Sequence, residues 1–224
     1  EQELAYITKA IFKEAVQAAY LAQETEARDA VIEPKSLSCT LLLAFTLPLI
    51  DGKWFTACYW VGDGAIAIFD PATQNVKLLG EVDSGQYSGE TQFLTLGEAN
   101  VEKITMRICT DIRDYPPILM LMTDGVSDPK FQTDAQLNTF EAWQTFWEEL
   151  HTPLQAEKPE KSLENWLDFF SKGEHDDRTL AVFIPESEWK GITYSAQYQE
   201  EIHTPIQVVE NSQQIVNDPE RNIN

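Results

Sequence analysis

Five consecutive apolar residues, Ile118 to Met122, run straight into Thr123-Asp124-Gly125, with a second carboxylate four positions on at Asp128. So short a run is too little for a helix and suits a strand buried on both faces. A carboxylate just past such a strand is held rigidly at a sheet edge, and Gly125 lets the backbone turn sharply there. Two acids this close, with little basic charge nearby, repel each other unless something positive lies between them. The residues alone leave two readings. One is a solvated turn closing a core strand; the other is a site for a hard cation such as Mg²⁺ or Mn²⁺, which prefer oxygen ligands.

The rest of the composition narrows the field. A chain of 224 residues makes one large domain, or a domain with a tail, and is long enough for a real core. Its 43% hydrophobic content and six tryptophans argue for a folded protein. A formal charge of −21 argues against nucleic acid and anionic membranes as partners, because phosphate groups need Lys and Arg to neutralise them. Cys39, Cys58 and Cys109 are odd in number, widely spaced and set among apolar residues, which predicts reduced core cysteines in a cytoplasmic protein. No signal peptide or apolar run of spanning length is visible. The chain opens on Glu1 rather than Met, so the expectation is a fragment of a longer protein.

In chain order, residues 3–25 predict a helix with Leu4, Ile7, Ile11, Ala15, Ala18 and Ala19 on its packed face, widened by Phe12, Val16 and Tyr20. Residues 26–34 read as a charged connection. A buried strand over 37–47, a turn at Asp51-Gly52 and a return strand over 54–60 read as a hairpin. A strand over 65–69 follows, then a loop over 80–89 and a short strand over 91–96. Alternation of Val101, Ile104, Met106 and Ile108 predicts a half-buried strand over 101–109, with a turn over 111–117. Residues 134–150 carry Leu137, Phe140, Trp143, Phe146, Trp147 and Leu150 at helical spacing, a stripe that reads as core. Residues 153–159 read as a linker. A second helix is expected over 162–170 with Ser162 as its cap, and a strand over 179–184.

Carboxylates mark two further strand ends. Asp63 stands between Gly62 and Gly64, where it reads equally as part of a hairpin turn, and Asp176-Asp177 precede the last strand. His175 beside them reads as solvated, and Arg178 as a structural ion pair more than a phosphate holder. Residues 187–224 are polar, rich in Gln, Asn and Glu, and read as a tail.

The order of these segments resembles a known family. Val61-Gly62-Asp63-Gly64-Ala65 at a hairpin end, Leu121-Met122-Thr123-Asp124-Gly125-Val126-Ser127-Asp128 after a buried strand, and Asp176-Asp177-Arg178-Thr179 before the final strand are similar to the motifs of the metal-dependent type-2C protein phosphatases. Ser38-Cys39-Thr40 sits where that family begins its hairpin with small residues. Gly89-Glu90-Thr91-Gln92-Phe93-Leu94 resembles a signature of a bacterial subgroup. The likeness spans about residues 3–185.

The resemblance implies an α+β fold like the four-layer αββα sandwich of that family, incomplete at its N-terminus, over residues 1–186. It implies Mn²⁺ or Mg²⁺ as cofactor, with Asp124 and Asp176 as ligands of a catalytic metal pair and Asp63 and Asp128 at a weaker third site. The nucleophile would be a metal-activated water, so no side chain serves as nucleophile. The implied substrate is a serine/threonine phosphoprotein; the alternative is a non-catalytic, phosphatase-like domain that binds a protein or a cation. The family's phosphate-binding arginine, and the Asp-Gly whose aspartate bridges both metals, have no counterpart here. This chain alone is therefore expected to bind metal weakly and to hydrolyse p-nitrophenyl phosphate poorly or not at all. Smaller departures are Gly64-Ala65, where many members have Ser-Arg, and Asp177, where many have Asn. Phosphatases with an aspartate nucleophile also place Asp-Gly after a buried strand, but they need an acid where Met122 stands.

Overall fold

The computed structural model describes residues 2–80, 92–169 and 176–186. Helix α1 (Gln2–Asp29) leads to strands β1 (Leu41–Pro48), β2 (Trp54–Val61), β3 (Ala65–Asp70) and β4 (Asn75–Leu78). Helix α2 (Val101–Met106), β5 (Ile108–Arg113) and β6 (Ile118–Met122) follow, then α3 (Asp124–Lys130), α4 (Phe140–Leu154), α5 (Pro159–Leu167) and β7 (Leu180–Phe183). The strands form two antiparallel sheets, β1-β2-β5 and β4-β3-β6-β7.

Side-chain alternation shows how the layers stack. Along β2, Phe55, Ala57, Tyr59 and Val61 join Phe12 and Val16 of α1 in one core, while Cys58 points the other way. Along β3 and β6, Ala65, Ala67, Phe69, Ile118, Met120 and Met122 meet Trp143, Phe146 and Leu150 of α4. Their alternate neighbours, Ile66, Ile68 and Leu119, pack with Cys58 and Leu79 between the two sheets. The order is therefore helix, sheet, sheet, helix: the four-layer α+β sandwich expected from the sequence. Period-two alternation in strands covered on both faces produces this, and each large apolar side chain so buried contributes roughly 1.5–3 kcal/mol.

The hairpin of β1 and β2 forms, in register from Leu41 opposite Val61 to Pro48 opposite Trp54, but its first strand starts four residues later than expected, because Pro34–Leu37 form a 3-10 helix. Its turn uses Gly52 at φ +83°, and the Lys53 amide donates to Asp51 Oδ1 at 3.1 Å.

Several expectations need correcting. Helix α1 runs past residue 25, and its buried face centres on Phe12 and Val16; Ile7 and Ile11 are exposed. Phe12 determines this rotation by lying against Phe45 and Tyr59, with ring centroids 5.4 and 6.4 Å away. The 101–109 segment is not one strand. Its first half is α2, capped by the Asn100 side chain accepting from the Glu102 amide at 2.9 Å, and only Ile104 of that helix is buried. Strand β5 begins at Ile108 and takes up residues 111–113, read as turn. Residues 92–96 form no strand, although Leu94 is buried and its amide donates to the Cys39 carbonyl.

The helix predicted from residue 134 starts at Phe140 and continues through Pro153. Ser162 does not cap α5: the helix starts at Pro159, whose fixed φ suits a first turn, and the Ser162 amide donates to the Lys158 carbonyl. Cys39 is exposed and Cys109 half-buried, so of the three free thiols only Cys58 is a core residue. The predicted loop over 80–89, apart from Gly80, the tail over 187–224 and His175 lie outside the described residues. No helix among the described residues is long and apolar enough to cross a membrane.

Candidate functional site

Strand register gathers the acidic segments. Ala65 of β3 lies opposite Met122 of β6, and Met122 lies opposite Leu180 of β7, so one row across the sheet marks one edge. Asp63 is two residues before that row on the first strand and Asp124 two residues past it on the second. Asp176 is four residues before it on the third.

Two glycines set how closely these segments approach. A Cβ on Gly64 would stand 2.5 Å from the Met122 carbonyl oxygen, so the Asp63 turn is pressed onto the end of β6. A Cβ on Gly125 would stand 2.5 Å from the Asp177 carbonyl oxygen, so the first turn of α3 abuts the Asp176-Asp177 backbone. Gly62, at φ +122°, closes against Thr40 and ties the same turn to the residues before β1.

Thr123 clips the third segment in place. Its hydroxyl donates to the Asp177 carbonyl and accepts from the Thr179 amide, both at 2.9 Å, and its own amide donates to the Thr179 carbonyl at 3.1 Å. Arg178 is committed elsewhere: its guanidinium donates to the Leu167 and Phe169 carbonyls at 2.8 and 2.6 Å and lies over the Phe169 ring. That tethers the segment to the end of α5. Neither Thr123 nor these glycine contacts stood out from residue type alone.

The carboxylates feel one another. Burial holds Asp124 above the usual carboxylate range, and the charges of Asp63, Asp176 and Asp128 push it further, against a hydrogen bond from the Gly125 amide at 2.8 Å. Asp128, on α3, is likewise raised: the residue as a whole is exposed, but its carboxylate is partly desolvated, and Asp63, Asp134 and Asp176 push it further. Asp134 is thus a fifth acid of the neighbourhood that the sequence reading passed over. Asp128 and Asp176 are exposed, whereas Asp63 and Asp124 are half-buried.

This arrangement predicts an unusual pH profile for the metal-free chain. Acids raised on folding hold their protons in the fold while already ionised in the unfolded chain. Their penalty is complete above the folded pKa and lifts as pH falls towards the ordinary value of 3.8. Asp70 and Asp111 behave oppositely. Burial raises each, but hydrogen bonds from Thr73 and Tyr115 to Asp70, and from Lys77 and Arg113 to Asp111, outweigh it. Their stabilisation is lost only below 3.8. The urea midpoint is expected to rise as pH falls from neutral towards 3.8 and to fall below it, with a shallower rise in Asp124→Asn. Equal slopes for the two proteins would refute the coupling.

The chain matches the model of the protein phosphatase 2C family over residues 1–168 and belongs to that family. The match covers Asp63, Asp124 and Asp128 and stops short of Asp176. No curated protein and no solved structure matches the chain. The family is one of phosphatases that in general depend on Mn²⁺ or Mg²⁺. Against that requirement the donors fit in kind, being carboxylates that repel one another at one sheet edge. They do not fit as a complete set: among the described residues no three His, Cys, Asp or Glu side chains are grouped to hold an ion.

Proposed function

We propose that this chain carries part of the site of a metal-dependent serine/threonine phosphoprotein phosphatase, with Asp124 and Asp176 as metal ligands and Asp63 and Asp128 beside them. The observation that carries the reading is the strand register that brings Asp63, Asp124 and Asp176 from three separate segments to one sheet edge, with Asp128 one turn along α3, where burial and the neighbouring charges raise the Asp124 carboxyl. Repulsion of that kind disfavours the metal-free state and favours a divalent cation. Mn²⁺ or Mg²⁺, when bound, would activate water and neutralise the phosphoryl oxygens of a phosphoserine or phosphothreonine. This chain's own part is to hold the carboxylates: β6 fixes Asp124, the two glycines bring the neighbouring turns within reach, and Thr123 fixes the Asp176 segment. The net charge of −21 argues against a nucleic-acid partner.

One observation favours a second reading, a phosphatase-like domain that binds protein or cation without turnover: no complete ion-holding group exists among the described residues. Hydrolysis of phosphoserine and phosphothreonine peptides by the protein at its full encoded length decides between the two. The first reading expects turnover that requires Mn²⁺ and stops with EDTA. Absence of turnover, with phosphopeptide or Mn²⁺ binding retained, establishes the second. Turnover that survives EDTA overturns the metal in both.

A further inference from the structure

Away from the acidic edge, the structure places two thiols face to face. Cys58 of β2 is the direct antiparallel partner of Cys109 of β5, and both side chains point into the layer between the sheets. Directly opposed residues in an antiparallel pair have Cα atoms about 4.5 or about 5.5 Å apart, according to whether the pair is non-hydrogen-bonded or hydrogen-bonded. Both separations fall inside the span of roughly 4.4–6.8 Å that a disulfide bridges. The Cys58 thiol donates to the Leu79 carbonyl at 3.7 Å, and Cys109 packs against the same buried cluster as Cys58.

The two thiols are not equivalent. Cys58 is fully buried, whereas Cys109 is half-buried on β5, which among the described residues is an edge strand of its sheet. The Cys58 hydrogen bond pulls the Cys109 thiol below its usual range, against burial, with help from the Lys77 ammonium and the Gly80 and Thr110 amides. Cys58 is pushed up, by its bond to Cys109 and then by burial. A peroxide arriving at the sheet edge therefore meets the thiol that ionises more readily, with a second thiol directly behind it.

We propose that Cys58 and Cys109 form a reversible redox site in which a peroxide converts the opposed thiols into a cross-strand disulfide tying β5 to β2. In the first step the Cys109 thiolate attacks one peroxide oxygen. The O–O bond breaks, the leaving hydroxide takes a proton and departs as water, and Cys109 becomes a sulfenic acid. In the second step the Cys58 sulfur attacks the Cys109 sulfur. The S–S bond forms, the S–O bond breaks, and the hydroxyl leaves with the Cys58 proton as a second water. Two thiols lose two electrons and one peroxide gains them. The site shares no residue with the aspartates and does not depend on the proposed phosphatase activity.

Hydrogen peroxide treatment of the full 224-residue chain, followed by non-reducing digestion and peptide mass mapping, tests this. The expected product is a peptide pair joined through Cys58 and Cys109, lighter than the sum of its parts by two hydrogen atoms and separated again by dithiothreitol. Cys39→Ser should leave its yield unchanged, and Cys109→Ser should abolish it. The wild-type map decides the matter even if Cys109→Ser does not fold. Accumulation of Cys109 sulfinic or sulfonic acid without the joined pair, bridges through the exposed Cys39 alone, or no reaction at Cys109 would each overturn the proposal.

Discussion

Asp124→Asn is expected to lower Mn²⁺-dependent phosphatase activity by on the order of 100-fold or more while leaving the metal-free fold at least as stable. The substitution keeps the side chain's size and the oxygen that accepts from the Gly125 amide, so the first turn of α3 keeps its local hydrogen bond. It removes one full negative charge from a set of carboxylates that already repel each other. In the metal-free protein this relieves repulsion; in the metal-bound protein it removes attraction. A 100-fold rate loss corresponds to about 2.7 kcal/mol of transition-state stabilisation, a plausible share for one ligand of a site that works by charge. Mn²⁺ affinity should fall in parallel, which a direct titration reads without any turnover. His175→Ala is the comparison, with little change expected from a residue read as solvated. If Asp124→Asn keeps near-full activity while His175→Ala loses it, the chemistry belongs to histidine.

What the sequence made legible follows from how local each signal is. Ile118–Met122 announced itself because a strand covered on both faces leaves no polar interruption, and its acidic terminus needed only the next two residues. The β1–β2 hairpin was equally local, since Asp51-Gly52 demands a tight turn. Helix α2 was misread because Val101, Ile104, Met106 and Ile108 offer a strand's alternation, and a short helix burying only Ile104 leaves too thin an apolar face to show its own period. Asn100 was the available clue. Helix α3 was invisible for a related reason: seven residues that include Gly125 and Pro129 carry little intrinsic helical preference.

The acidic edge divides in the same way. That three segments end in aspartates was readable; that they share an edge depends on the register of β3, β6 and β7, which is long-range. The glycines illustrate the limit. Gly64 and Gly125 appear in sequence as turn residues, yet their place is decided by the Met122 and Asp177 carbonyls against which they press. Asp134 was hidden because its effect on Asp128 arises from the fold around α3, not from a motif. The Cys58–Cys109 opposition is a register fact of the same order, unavailable from spacing of fifty-one positions.

The contact at Gly125 supports the second large effect. An alanine Cβ there would lie 2.5 Å from the Asp177 carbonyl oxygen, 3.0 Å from its carbon and 3.1 Å from the Asp176 carbonyl carbon. All three are backbone atoms, so no side-chain rotation relieves the clash; the 176–179 segment must retreat or α3 must tilt. Retreat strains the clip in which Thr123 bonds Asp177 and Thr179, the join that seats β7 beside β6. Overpacking of this kind costs roughly 1–3 kcal/mol, and the lost pairing adds to it. Gly125→Ala should therefore lower the urea midpoint clearly and weaken Mn²⁺ binding by moving Asp176 away from Asp124. Gly97→Ala is the matched control, because its added Cβ meets only the Thr95 hydroxyl at 3.6 Å, an ordinary contact, and should change stability by less than about 0.5 kcal/mol. Unfolding curves for the two variants, with Mn²⁺ titrations beside them, separate a general dislike of alanine from a specific collision. If Gly125→Ala unfolds together with Gly97→Ala and binds Mn²⁺ as the parent does, the Asp176 segment does not rest on α3, and the convergence of Asp124 with Asp176 fails with it.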